Sequence, residues 1–272
     1  MPLPLPRALP ENAGFGFIGE QPWPSAALTS RTATRLLGLR NRHGKPNADV
    51  LRPVATAGRL ARAAPRWQID FPTDLSEAEA ALFAEPFRLL AAAIPHRHAR
   101  WWANPHANRT LRSALARRGR FLAADRDAAR PDFHWLDAAV LPDSSLIVVA
   151  RDEDFIRGLL QSPLFTLWWA QFPRRSRTIR VVHSFPLPWP PGAGLSALSA
   201  TQEEQRHAVA RAERSGRPSE LHASVLRSYG WPEGSTEAGL LARLRELNLQ
   251  RAGLPAPGAG RRAADGTRPR LD

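Results

Sequence analysis

The sequence predicts an α+β protein, with a mixed α/β domain followed by a small helical C-terminal unit. Two segments predict strands. RWQIDF at 66–71 is rich in aromatic and β-branched residues and ends at Pro72, and SLIVVA at 145–150 is a short run of β-forming apolar residues. The third observation is the proline- and glycine-rich segment PLPWPPGAG at 186–194, beyond which the pattern is helical throughout.

Helical patterns surround the two predicted strands. The segment from Thr29 to Arg40 is weakly helical. Ser76 and Glu79 have the spacing of a capping box, which predicts a helix that begins at Ser76 and ends near Pro95. We call the proline- and glycine-rich segment at 186–194 the hinge. Before it, the remaining predictions are helices at 108–118 and 153–160 and a strand at 178–185, TIRVVHSF.

Three helices are predicted after the hinge, at 203–214, 220–229 and 236–250. In the last of them Leu240, Leu244 and Leu247 recur at i, i+4 and i+7, which gives one apolar stripe. The predicted organisation is a flexible lead-in at 1–12, a mixed domain at 13–190, a helical segment at 191–254 and a disordered tail at 255–272.

Composition excludes several classes of protein. The chain has 272 residues, 43% of them hydrophobic, and lacks the apolar run of about 18–20 residues needed to span a bilayer. It contains no cysteine, which excludes disulfides and thiolate metal sites. The N-terminal MPLPLPRALP has too many prolines for a signal peptide, so we expect a cytoplasmic location.

Positive charge is clustered along the chain. The net charge is +13, and Lys45 is the only lysine. Ten arginines lie between 88 and 130 against only two acids, Asp125 and Asp127, and a second basic patch at 174–183 has no acid. A GC-rich genome would also raise the arginine content, but it would not separate bases from acids locally. The clusters therefore predict a polyanion partner, in particular a nucleic acid.

Two short motifs are weak indicators of a site. Gly14 to Gly19 fits the pattern G-x-G-x-x-G. A phosphate-binding loop of this type needs a strand before it and a helix after it, and the sequence predicts neither. We therefore interpret the motif as a glycine-rich loop entry. His96 and His98 have a spacing found in metal sites. They are surrounded by arginines and lack nearby carboxylates, so we expect no metal.

The segment RHARWWANPHANRTLR at 97–112 raises the question of catalysis. Amino-directed DNA methyltransferases have the tetrapeptide Asn/Asp/Ser-Pro-Pro-aromatic, whose aromatic ring stacks on the flipped base. Asn104-Pro105-His106-Ala107 lacks the second proline and the aromatic residue, so we expect no catalytic residue here. Trp101 and Trp102 are candidates either for base stacking or for the core.

An ordered set of segments carries a family resemblance. In this order they resemble the target-recognition region and C-terminal helical segment of MmeI-like DNA methyltransferases, the single-chain type II restriction-modification enzymes and their phage-defence relatives. The segments are WQIDF (67–71), EAEAALFAEPF (77–87), HARWW (98–102), HWL (134–136), LLQSPLFTLWW (159–169), SFPLP (184–188), VLRSYGWP (225–232) and LLARLRELNLQRA (240–252).

The resemblance implies a reader of double-stranded DNA that works with an adenine-N6 methyltransferase domain or subunit. The cofactor loop and catalytic tetrapeptide of that domain are not found here, so S-adenosylmethionine is expected on the catalytic partner and no cofactor on this chain. Three interpretations stay open: a specificity subunit, one half of a split methyltransferase, or the remnant of a truncated gene. A protein that binds something other than DNA, with an arginine content that is only genomic, is a further alternative.

Arginine suits both parts of DNA recognition, since it pairs with phosphates and makes a bidentate contact to guanine O6 and N7. The predicted DNA-binding residues are Arg97, Arg100, Arg109, Arg112, Arg117, Arg174, Arg175 and Arg177. For each of these arginines, the alternative is a solvated surface residue without a role in binding. We predict no catalytic residue and no metal ligand.

Overall fold

A computed structural model of the chain describes residues 6–60, 66–94, 99–174, 179–190 and 198–253. Within these residues the chain forms two compact units. The sheet unit contains the described residues of Phe17–Ala128 and Asp132–Asp152, and the helical unit contains those of Met1–Gly16, Ala129–Pro131 and Glu153–Asp272. The domain limits expected from composition stay a prediction.

Eight strands lie in the described part of the chain and form two four-stranded sheets. Together with the helices, these sheets confirm the predicted α+β class. The strands are β1 (Gly16–Ile18), β2 (Ala27–Leu28), β3 (Leu51–Ala55), β4 (Arg66–Ile69), β5 (Arg120–Asp125), β6 (His134–Asp137), β7 (Leu141–Pro142) and β8 (Leu146–Val149).

The first sheet has the order β1-β8-β5-β6. Its central strand β5 pairs antiparallel with both β6 and β8, so that Leu122 lies opposite Trp135 on one side and Val149 on the other. All four residues of β8 are buried, as the continuous apolar run predicts. The second sheet has the order β2-β4-β3-β7, with β3 antiparallel to β4 and parallel to β7.

The described residues also form ten α-helices and four short 3-10 helices. The α-helices are α1 (Ser30–Leu37), α2 (Glu77–Ala81), α3 (Ala84–Ala93), α4 (Arg109–Leu115), α5 (Asp154–Gln161), α6 (Pro163–Trp169), α7 (Arg180–His183), α8 (Ala200–Ser215), α9 (Pro218–Ser228) and α10 (Glu237–Ala252). No helix in the described ranges is both long and apolar enough to cross a bilayer.

The capping box predicted at Ser76 is present. The Ser76 hydroxyl accepts a hydrogen bond from the Glu79 N–H, and the Glu79 carboxylate accepts one from the Ser76 N–H. The helix that starts there ends earlier than predicted, because the chain breaks between α2 and α3. Pro86 explains the break, since it has no N–H for the carbonyl of Leu82 that a continuous helix would pair with it.

The strand predicted at 178–185 is wrong, because the described part of this segment forms the short helix α7. Val181 and Val182 gave the β-like pattern, and both are fully buried. The buried Asn12 side chain donates hydrogen bonds to the carbonyl oxygens of Val182, His183 and Phe185. Tertiary packing and this side-chain cap therefore override the local β-propensity.

The glycine motif at 14–19 contains a strand and is not the loop entry expected from the sequence, because Gly16 begins β1. A Cβ atom on Gly16 would lie 2.9 Å from side-chain atoms of Ile179 and Val182. On Gly19 a Cβ atom would lie 2.0 Å from the carbonyl oxygen of Asp143. Both glycines thus permit close approach of neighbouring protein atoms.

Candidate nucleic-acid interface

The segment at 97–112 is the candidate for DNA contact, and its described part forms a loop at 99–108 that leads into α4. Asn108 caps the helix, since its side-chain Oδ1 accepts a hydrogen bond from the Leu111 N–H at 3.1 Å. The Asn108 N–H itself donates to Oε1 of Glu20 at 3.0 Å. Asn108 is therefore fixed through both its backbone and its side chain, and the start of α4 is held in one place.

Both tryptophans of the segment lie in the core of the sheet unit. Trp101 and Trp102 are 3% and 8% exposed, and their rings meet edge to face with centroids 6.3 Å apart. The Trp101 indole N–H donates to a carboxylate oxygen of Glu77, and the Trp102 N–H donates to the carbonyl of Leu75. Of the two roles that the sequence left open, the structure gives these rings the packing role, which anchors the loop.

Asn104 closes a turn within the loop. Its side chain is buried, and its Oδ1 accepts a hydrogen bond from the His106 N–H at 2.9 Å. This is an Asx turn, in which an asparagine side chain takes the place of a backbone acceptor. The asparagine of the methyltransferase-like tetrapeptide therefore has a local structural role in this chain.

Helix α4 has one buried and one exposed face. Leu111 and Leu115, one turn apart, are buried in the core beside β5 and β8. Arg109, Ser113 and Arg117 follow one another at four-residue spacing and are all exposed. This spacing places them on one side of the helix and of the turn that follows it.

Arg112 lies at the border between the exposed and the buried face and joins a buried ion network. Its guanidinium donates to both oxygens of Glu20, at 2.6 and 2.7 Å, and to both oxygens of Asp70, at 3.0 and 2.8 Å. The two carboxylates are buried, and the Arg112 side chain is 23% exposed. Glu20 follows β1 and Asp70 follows β4, so this arginine links α4 to segments of both sheets.

Burial and pairing act in opposite directions on Arg112. Burial alone would lower the pKa of its guanidinium, but the hydrogen bonds and charges of Glu20 and Asp70 outweigh burial and raise that pKa. Arg52 is the second cation near these acids and donates to the carbonyls of Ala138 and Ala139. Burial lowers the pKa of Arg52, against the attraction of Asp70. The network contains two cations and two anions and is balanced in charge.

Several other arginines of the first basic cluster have internal partners. Arg88 pairs with Glu85 at 2.8 Å, and Arg118 pairs with Asp152 at 3.0 Å. The Arg120 guanidinium lies 3.8 Å from the centre of the Trp135 ring, a cation–π distance. The cluster seen in the sequence thus contains arginines that pair with other residues of the chain as well as exposed arginines.

Three predicted DNA-binding residues of the sheet unit are exposed: Arg100, Arg109 and Arg117. Arg109 and Arg117 have no side-chain partner in the part of the chain that the structure describes. Arg100 donates to the carbonyl of Thr73. The structure brings Arg100 and Arg109 together at the rim of one cavity of about 290 Å³. Arg97 and the histidines at 96 and 98 lie outside the described residues.

The second basic cluster belongs to the helical unit. Arg174 is exposed after α6, and Arg175 and Arg177 lie outside the described residues. Arg180 is exposed on α7, and the His183 ring bonds the carbonyl of Gly16 at 3.0 Å. Burial lowers the pKa of His183, and the Gly16 carbonyl opposes that change only in part. Across the described ranges, no group of three metal-ligating side chains is found.

Sequence reasoning missed Glu20 and Asp70, the two partners of Arg112. They lie 92 and 42 residues from it along the chain. The signal available in the sequence was Asp70 itself, an acid within the predicted strand segment RWQIDF. A carboxylate that is buried in a sheet needs a cation or several donors.

Comparison with known proteins shows a similarity in fold. No family model matches the sequence, and no curated protein sequence matches it. Among solved structures, the fold is similar to that of the Type IIL restriction-modification enzyme MmeI, which was solved in complex with DNA. The TM-score is 0.59 at 14% identity, over 93% of this chain and 36% of that chain. This chain thus spans about a third of the length of its solved relative, and the predicted relation is supported at the level of the fold.

Proposed function

We propose that this chain recognises a specific sequence in double-stranded DNA. It supplies target specificity to an adenine-N6 DNA methyltransferase of a restriction-modification or phage-defence system. The observation that carries the proposal is the fold similarity to MmeI over 93% of the chain, because that enzyme was solved in complex with DNA. The methyltransferase partner is part of the proposal, and the coverage of 36% of the MmeI chain is compatible with a module of a larger assembly.

The exposed side of α4 supplies the proposed contact in the sheet unit. Arg109 and Arg117 present two guanidinium groups to solvent with no acid paired to them among the described residues, and Ser113 lies between them. Guanidinium groups bind phosphates and read guanine in the major groove, and a hydroxyl can bond either a base edge or a phosphate. The buried leucines on the opposite face keep this helix rigidly placed.

The remaining predicted residues take different places in the proposal. Arg100 extends the same contact from the loop before α4, and Arg174 belongs to a second contact. Arg97, Arg175 and Arg177 lie outside the described residues and stay proposed DNA-binding residues on the sequence pattern alone. Arg112 is occupied by two carboxylates, so we propose that it positions α4 and does not itself touch DNA. Trp101 and Trp102 anchor the loop from the core.

Charge reversal at the exposed side of α4 tests this proposal. Arg109→Glu combined with Arg117→Glu should weaken duplex binding more than about tenfold at moderate salt. The slope of log K against log salt concentration should fall by about one for each phosphate that the variant no longer neutralises. Arg31→Glu combined with Arg211→Glu is the matched control, because it changes the net charge equally and both residues are also exposed on helices, in α1 and α8. Equal losses in both variants would point to non-specific charge attraction, and unchanged binding would remove α4 from the interface.

A further inference from the structure

The cavity between Thr73 and the loop at 99–108, which we call the loop cavity, has the chemistry of an anion site. Its volume is about 290 Å³, and none of its eight lining residues is acidic. Arg100 and Arg109 line it, and both are exposed. Two guanidinium groups without a neighbouring carboxylate leave the cavity with a positive charge that the lining residues do not balance.

Asn104, which also lines the loop cavity, provides an independent observation. Only 5% of this residue is exposed. Its Oδ1 accepts the His106 N–H, so the orientation of the amide is fixed and Nδ2 is the remaining donor. Nδ2 has no hydrogen-bond partner among the described residues. Buried donors are nearly always paired, so this one is open to an acceptor that the described residues do not supply.

We propose that the loop cavity binds a phosphate group, with Asn104 Nδ2 and the guanidinium groups of Arg100 and Arg109 as donors. A phosphodiester offers acceptor oxygens and negative charge, which matches a site whose side chains are donors. A nucleobase edge usually combines donors with acceptors and matches it less well. The source of the phosphate rests on the proposed function: it is a backbone phosphate of the DNA duplex, which would set the register of α4 on the DNA.

The Asn104 side-chain amide gives a direct readout of this site. In the ¹⁵N-labelled full chain, its resonance is identified by its loss in Asn104→Asp, which keeps the acceptor for His106 and removes the free donor. Inorganic phosphate is then titrated against chloride at the same ionic strength, and a DNA duplex is titrated separately. Arg109→Gln removes one donor of the cavity, and Arg211→Gln removes an exposed charge on α8 that does not line it.

We expect a saturable shift of the Asn104 amide with phosphate. The affinity for phosphate should be about tenfold lower in Arg109→Gln, the factor for one charge-assisted hydrogen bond, and unchanged in Arg211→Gln. A shift with the duplex identifies a DNA phosphate as the ligand. A shift with phosphate alone, while the duplex binds elsewhere, identifies a free phosphate as the ligand. No shift with either ligand overturns the site, and duplex binding measured in the same samples then shows whether the proposed function still stands.

Discussion

Replacing Arg112 by methionine should destabilise the protein far more than the same change at Arg109. Arg112 makes four hydrogen bonds to Glu20 and Asp70, whose side chains are only 5% and 3% exposed. Methionine keeps the aliphatic length but leaves two buried carboxylates without their shared cation. Arg109 is exposed and unpaired among the described residues, so Arg109→Met removes no such interaction.

The expected magnitude follows from the burial of the pair. Removing one partner of a buried ion pair typically costs about 3–5 kcal/mol. The Arg112 side chain is 23% exposed and Arg52 lies close enough to attract both acids, so the lower end applies, about 3 kcal/mol. For a chain of this size that loss lowers the Tm by roughly 6–12 °C. Arg109→Met should change the free energy of unfolding by less than about 0.5 kcal/mol.

Urea denaturation of the two variants, followed by tryptophan fluorescence, measures this difference. A third variant adds Glu20→Gln and Asp70→Asn to Arg112→Met, which removes both buried charges and keeps their acceptor oxygens. It should recover at least half of the lost stability, because neutral replacement of a buried ion network is often tolerated. A cost below about 1 kcal/mol for Arg112→Met, or no recovery in the triple variant, would contradict the assigned role.

Two further predictions concern the helical unit. The pKa of His183 is lower in the folded chain than in the unfolded chain, so protonation favours the unfolded chain. The contribution of neutral His183 to stability is therefore complete above about pH 6.5, the unfolded-state pKa, and is lost as the pH falls through the lower folded-state pKa. The free energy of unfolding, measured in urea at several pH values, should therefore fall less steeply with acidification in His183→Gln than in the parent. Gly158→Val should cost about 1–3 kcal/mol, since a Cβ atom there would lie 2.8 Å from Cγ1 of Val209. Gly234→Ala, with no atom within 4 Å of the added carbon, is its control in thermal melts.

Elements with local signals were predictable from the sequence. The capping box at Ser76 and the helix start at Asn108 depend on residues three positions apart, and both side-chain bonds are present. Strand β8 follows from a run of apolar β-formers, and α10 follows from a leucine stripe. In each case the residues that carry the pattern also form the element, so no distant partner had to be known.

Elements that depend on distant partners were not predictable. The segment around Val181 has strand-like residues, yet it is helical because Asn12, about 170 residues away, caps its carbonyls. Pro86 is a local signal for the break between α2 and α3, but the spacing of the apolar residues on both sides of it predicted one continuous helix. Propensity is a weak indicator for short segments, and tertiary contacts decide them.

The candidate site was predictable as a region but not as a set of roles. Clustering of arginines indicated the segment that contains α4, while the structure divides those arginines between internal pairs and solvent. Arg112 and Arg109 are three residues apart in the same helix. Arg112 forms ion pairs with Glu20 and Asp70, whereas Arg109 has no ion-pair partner among the described side chains. Only the positions of the distant acids distinguish them.

Selection from a pool of randomised DNA duplexes tests the central claim most directly. The purified chain is incubated with the pool at moderate salt, and the bound duplexes are recovered, amplified and sequenced, alongside the variant with Arg109→Glu and Arg117→Glu. A sequence-specific recognition module predicts enrichment of one short motif by the parent chain, with enrichment lost in the variant. Binding without enrichment, or no binding, would contradict the claim that this chain supplies target specificity.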